Sequence, residues 1–333
     1  MLKVVADESS IRRFERRFAR GLRAAGRETV PVRIGHPGAS EKARVAWSER
    51  LGIWFFSRKI AGSRYWNGFG VGRPERGGAV AITCEINFPL CGIDRRTGGA
   101  FALDRDGRIY VVHRGKLGGG RKGIGKSLFE SRYRGVWEEM DDGDGATAVA
   151  VVASLQSPRF ARQIAQFVAK IARIKETAAA PSAQTELSFD ELSLREELIG
   201  EPYREPATGA GDRCDRGLIV RDLAGILKGR GFRTGNDGRR DLLIMDRQDR
   251  IRALFHVPAK TDPAGIYAGA ARLLLEGSDL PGNPLLVLVL PETPDRGPRE
   301  KLLRLHVEML TCRWSEEEAL FPDLDGLLAR IGP

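Results

Sequence analysis

The chain has 333 residues, 42% of them hydrophobic and 29% charged, with 54 Lys+Arg against 44 Asp+Glu for a net charge of +10. That length suits two domains whose cores need no staples, and the composition excludes a disordered chain. The longest apolar run, Pro284 to Pro291, is far short of the roughly 18 residues of a membrane span.

Four cysteines do not make a disulfide framework, and the first ten residues have no apolar signal core. The expectation is a cytoplasmic protein with reduced thiols and no membrane partner.

In chain order, a basic amphipathic helix is expected over Ser9–Ala25. Ile11, Phe14, Phe18 and Leu22 recur at helical spacing, while Arg12, Arg13, Arg16, Arg17 and Arg20 fill positions between them. Short β-branched or aromatic segments then predict strands at 54–56, 64–69, 79–88, 99–103 and 108–113, separated by glycine-rich breaks. Asp104 to Gly107 reads as a hairpin turn. A buried strand is expected at 147–155 and a long helix at 158–175, capped by Ser157. This is an α+β domain with a largely antiparallel sheet.

Residues 176–212 are rich in Ala, Pro, Ser and Glu and read as an acidic linker, with room for a short helix at 188–198. Beyond it the pattern is helix 218–229, strands 241–245 and 251–257, helix 267–276, strand 284–290, helix 298–305 and strand 307–314. That order gives an α/β domain with a mixed sheet flanked by helices. The expected domains are thus 1–175, a linker at 176–212, and 213–333.

Charge divides along the same lines: +16 on 1–175, −7 on 176–212 and +1 on 213–333. A basic first half points to a polyanion, most often nucleic acid. Residues 113–135, HRGKLGGGRKGIGKSLFESRYRG, are dense in glycine and cations. Glycine lets a backbone approach a phosphate closely, and the cations neutralise it. Arg114, Lys116, Arg121, Lys122, Lys126, Arg132 and Arg134 are the candidate nucleic-acid-binding residues. Gly120 to Ser127 also fits G-x-x-x-x-G-K-[ST], but the strand ends near His113 and the following helix is very short.

The aromatics of 47–69, with Trp47, Trp54, Phe55, Phe56, Tyr65, Trp66 and Phe69, stack on bases or form core. Core is the commoner use of such clusters on short strands. Cys84 and Cys91 have C-x6-C spacing with no second pair, a weak zinc signal.

Three stretches of the second domain carry a resemblance. GRRDLLIMDRQDRIRALFHV (238–257) places Asp241 at the opening of one strand and His256 near the end of the next. IYAGAARLLLEG (266–277) follows as a helix, and PLLVLVLPETPD with HVEMLTCRW closes as strand–helix–strand. In this order the domain resembles the restriction-endonuclease-like PD-(D/E)XK nucleases, over about a third of the chain.

The resemblance implies a restriction-type or defence protein that binds double-stranded DNA, with metal-dependent phosphodiester cleavage in the second domain and a homodimer as assembly. It implies Mg²⁺ or Mn²⁺ held by Asp241, His256 and the helix-borne Asp222, with Lys260 completing a catalytic set with Asp241 and His256. The sequence departs from the family pattern: His256 stands where the second acid belongs, Pro258 where the Lys belongs, and Arg272 where the helix often has Gln. Imidazole suits Mn²⁺ better than Mg²⁺. The alternative is a non-catalytic nucleic-acid-binding protein with a degenerate nuclease fold.

Overall fold

The computed structural model describes residues 1–36, 39–117, 125–179, 193–200, 202 and 211–331. The chain divides into two compact units, one formed by 1–181 with 201–214 and the other by 182–200 with 215–333. Both mix helices with antiparallel or mixed sheets, as the sequence suggests at that level. No described helix is long and apolar enough to cross a membrane.

In the first unit, β1 (Leu2–Val4) leads into α1 (Glu8–Ala25). β2 (Glu28–His36) and β3 (Ala39–Ser48) form a long hairpin that β4 (Ile53–Ile60) and β5 (Arg64–Val71) extend. Three two-residue strands follow: β6 (Ala79–Val80), β7 (Cys84–Glu85) and β8 (Phe88–Pro89). Then come β9 (Gly99–Leu103), β10 (Ile109–His113), α2 (Lys126–Arg132), β11 (Val136–Asp141), β12 (Ala146–Ser154) and α3 (Phe160–Ala179).

These strands make two sheets. One has seven strands in the order β6-β2-β3-β4-β5-β7, with β8 also paired to β5. The other is a closed barrel, β1-β11-β12-β10-β9, in which β1 pairs with both β9 and β11. All pairings are antiparallel except β1 with β11 and β2 with β6.

Strand alternation assigns the two faces of the barrel wall. Leu2, Ala102, Tyr110, Val112, Met140, Val149 and Val151 gather in one cluster inside it. Phe101, Val111, Ala150 and Val152 face the other way, into a core shared with α1 and α3. There Phe18 of α1, fully buried, meets Phe69, Phe88, Phe101 and Phe160 edge to face. Asp7 caps α1 by accepting from Ser10 N at 2.8 Å. The turn expected at 104–107 forms, with Asp104 accepting from the backbone of Asp106 and Arg108 and Gly107 at φ +74°.

Two expectations change here. The segment 79–88, expected as one strand, is three short pairings, because the chain turns between them to meet β2 and β5 separately. The hairpin 28–48 and β11 form where the sequence pattern predicts no strand.

The second unit runs α4 (Arg216–Gly229), β13 (Arg233–Gly235), β14 (Leu242–Met245), β15 (Ile251–His256), α5 (Pro263–Ser278), β16 (Leu285–Leu290), α6 (Arg296–Arg304) and β17 (Val307–Thr311). A small hairpin of β18 (Arg313–Ser315) and β19 (Glu318–Leu320) and a final helix α7 (Leu324–Ile331) close it. The five-stranded sheet has the order β13-β14-β15-β16-β17, antiparallel up to β15 and parallel after it.

Helices cover both faces of this sheet. Alternate strand residues Leu242, Ile244, Phe255, Val287 and Leu310 pack with α4 and α7. Leu243, Met245, Leu254, Leu288 and Leu290 pack with α5 and α6. The expected linker overlaps regular structure at its start, where α3 runs through Ala179. Residues 193–200 belong to the second unit, where Ile199 is buried and the Arg195 backbone exchanges two hydrogen bonds with the Asn236 side-chain amide.

Candidate functional site

The residues expected to form a site in the second unit come together in part. Leu242 and Phe255 are cross-strand partners, so Asp241, one residue before β14, lies beside His256 at the end of β15. His256 Nδ1 is 2.7 Å from Asp241 Oδ2. The first residue of α4, Arg216, supplies a third group: its Nη2 lies 2.8 Å from each Asp241 oxygen. Val257 N donates to Oδ2 at 3.1 Å. All three side chains are buried, with Asp241 at 7% exposure.

Burial alone raises the pKa of Asp241. The charges of Arg216 and His256, and their hydrogen bonds, outweigh burial and hold the carboxyl well below its ordinary value. The ionised form of Asp241 is therefore favoured, with a guanidinium as its counter-charge and donors already on both oxygens. A divalent cation needs those same oxygens.

The other expected ligands do not join it. Asp222 sits in α4 and accepts from Ala319 N at 2.9 Å, tying the helix to β19. Lys260 is exposed in the loop before α5, because β15 ends at His256 and Pro258 cannot continue its ladder. The spare acids nearby hold turns: Asp237 binds Arg239 N and Arg240 N, Asp246 binds Gln248 N and Arg250 N, and Asp262 caps α5 through Gly265 N. Among the described residues no group of three His, Cys, Asp or Glu is placed to hold a metal ion. The donor set around Asp241 does not fit Mg²⁺ or Mn²⁺.

The basic segment of the first unit is built on an aromatic base. Phe129 of α2, fully buried, stacks on Tyr133 at 4.6 Å and meets Trp137 and Phe167. His113 at the end of β10 packs on Phe129 and Phe167. Its Nδ1 accepts from Gly115 N at 3.0 Å, so Nε2 carries the proton toward Glu85 O at 3.2 Å. Burial pushes the imidazole down to about 4, opposed by the bond to Glu85, so it is neutral at pH 7.

Arg114, next along, is only 7% exposed, and its Nε has no hydrogen-bond partner among the described residues. Burial pushes its guanidinium down, Asp142 opposes this and Arg95 adds to it. Asp142 itself is held by Arg95 through two bonds of 2.9 Å.

Lys116, Lys126 and Arg132 are exposed. Lys126 lies 3.5 Å from Glu130, and Arg132 donates to Thr177 at 3.0 Å. Arg134 is half-buried, and its carbonyl accepts from Lys170. Arg121 and Lys122 lie outside the described residues, as does most of the P-loop-like stretch. β10 is antiparallel to both its neighbours and α2 has seven residues, which is not the strand–loop–helix setting of a nucleotide-binding loop.

The aromatics of 47–69 are mostly core: Trp47, Trp54, Phe55, Tyr65, Trp66 and Phe69 are all buried. Cys84 is buried and its thiol is pushed up by desolvation to about 12, whereas Cys91 is exposed. Sequence reasoning misses Arg216. Twenty-five positions separate it from Asp241, and nothing local marks a helix-terminal arginine as the partner of a strand aspartate.

Comparison with protein-family models, with curated proteins and with solved structures finds no match.

Proposed function

We propose that this protein binds DNA through its first unit and that its second unit is a nuclease-like domain without a metal centre. The observation that carries this choice is the Asp241 cluster. In a nuclease of the resembled family the strand aspartate faces a metal; here Arg216 and His256 face it instead. The element order helix–three strands–helix–strand supports the family likeness.

The DNA-binding half rests on the +16 charge of residues 1–175 and on the cationic segment anchored by Phe129. Lys116, Lys126 and Arg132 neutralise phosphates from solvent. Arg114 offers a guanidinium already stripped of water, which strengthens an interaction with a phosphate oxygen.

The test is duplex binding by fluorescence anisotropy between 50 and 200 mM salt. The native chain should bind with a steep negative salt slope. A Lys116→Ala/Lys126→Ala/Arg132→Ala variant should bind more weakly and with a shallower slope. Absence of salt-dependent binding by the native chain contradicts the DNA reading. The same mixtures with Mg²⁺ or Mn²⁺ should leave the duplex intact.

A further inference from the structure

α1 carries a second group of cations, distinct in sequence from Lys116, Lys126 and Arg132. Arg12, Arg13, Arg16, Arg17 and Arg20 are all exposed. At 100° per residue they fill an arc of about 140° on one side of the helix, over about 12 Å of its axis. The opposite side, Ile11, Phe14, Phe18 and Leu22, is buried in the core of the first unit. Of the five, Arg13 lies over the Phe14 ring at 4.9 Å. Arg12, Arg16, Arg17 and Arg20 make no hydrogen bond or ion pair among the described residues. The helix holds two acids: Glu8 in the first turn, and Glu15, which is buried and accepts from Ser57 at 3.0 Å.

Arg12 with Arg16, Arg16 with Arg20, and Arg13 with Arg17 stand four residues apart, a spacing at which like charges repel and weaken a helix. A soluble helix ordinarily relieves this with exposed acids among the cations; between Arg12 and Arg20 the one acid of α1 is the buried Glu15.

We propose that the arginine face of α1 is a phosphate-binding surface for duplex DNA. The inference rests on the DNA-binding reading above and adds a second binding element to it. A basic amphipathic helix also suits an anionic membrane, but that mode needs a free apolar face, and the apolar face of α1 is already in the core. Because that face is committed, α1 cannot sink whole into a major groove of about 12 Å. It lies against the backbone, so its contribution is independent of sequence.

The experiment uses the full chain carrying Arg12→Gln, Arg16→Gln and Arg20→Gln, with two duplexes of unrelated sequence, titrated between 50 and 200 mM salt. Removing one phosphate-neutralising cation flattens the log–log salt slope by about 0.9. The variant should therefore have a slope shallower by roughly two to three, and an affinity reduced tenfold or more, equally on both duplexes. Thermal unfolding should show the variant no less stable than the native chain, since the repulsion is gone. The matching Lys variant should keep the slope.

An unchanged slope in the Gln variant, with a reduced slope in the Lys116/Lys126/Arg132 variant, overturns the α1 surface and leaves the DNA reading standing. No salt-dependent binding by the native chain overturns both. Preferential binding to an RNA hairpin or to phosphatidylserine vesicles that the Gln variant abolishes overturns duplex DNA as the partner.

Discussion

Arg216 decides how the second unit is understood. An ion pair buried this deeply adds little net stability, but removing one member strands the other charge in the interior. Arg216→Ala should therefore destabilise the chain by about 3–5 kcal/mol in urea unfolding. Pairing it with Asp241→Leu should recover most of that stability. A neutral Arg216→Ala would show that Asp241 has water or an ion as its partner instead.

His113 gives a pH signature in the first unit. Its folded value of about 4 lies below the ordinary 6.5, so the unfolded chain takes up the proton first. The associated stability is complete above pH 6.5 and falls away as pH drops toward 4. At about 1.4 kcal/mol per pH unit the decrease is on the order of 3 kcal/mol. His113→Gln should remove this slope from the urea midpoint over the same range. Arg216, His113 and the unpartnered Nε of Arg114 share one property: nothing in the local sequence shows that they are buried. Burial of a charged or titratable group is set by neighbours distant in the chain, so composition and motif spacing miss it.

At the scale of elements, legibility follows periodicity. α1 is plain from its heptad-like apolar face, and the same pattern exposes its arginines. The strand 251–257 and the apolar run at 284–290 are readable because the sheet buries both faces. The β2–β3 hairpin is not. Pro31 and the charges at Arg33, Lys42 and Arg44 break the expected strand signature, although Val30, Val32, Ile34 and Val45 alternate into a buried cluster. β11 is hidden for a similar reason, since Glu138 and Glu139 interrupt it.

The turn just after β10 has a specific weak point at Gly115. Gly115 has φ +82°, and a Cβ there would lie 2.7 Å from the Phe129 ring. Gly115→Ala should cost about 1–3 kcal/mol through strain and displacement of that ring. It should also weaken DNA binding, because Phe129 anchors the segment that carries Lys126. Wild-type stability in the variant would show that α2 is not held through this packing.

For the whole molecule, the charge of +10 describes neither unit. The first carries the positive charge, with exposed cations on α1 and around α2. The first sums to +14 and the second to −4; in the second, Asp237, Asp246 and Asp262 hold turns and a cap, and Asp241 pairs with Arg216. The net positive charge therefore belongs to the first unit, and in the second the Asp241 carboxylate is closed off by Arg216 and His256. The order of elements in the second unit is what periodicity makes legible. Whether the centre is open is not legible in the same way, because that depends on which cation reaches Asp241.

The most direct measurement is incubation of the 333-residue chain with a duplex in the presence of Mg²⁺ or Mn²⁺, following binding and strand integrity together. Salt-steep binding and an intact duplex are expected with either ion. Metal-dependent nicking that Asp241→Asn abolishes would contradict this, since Asp241 would then serve a metal rather than Arg216.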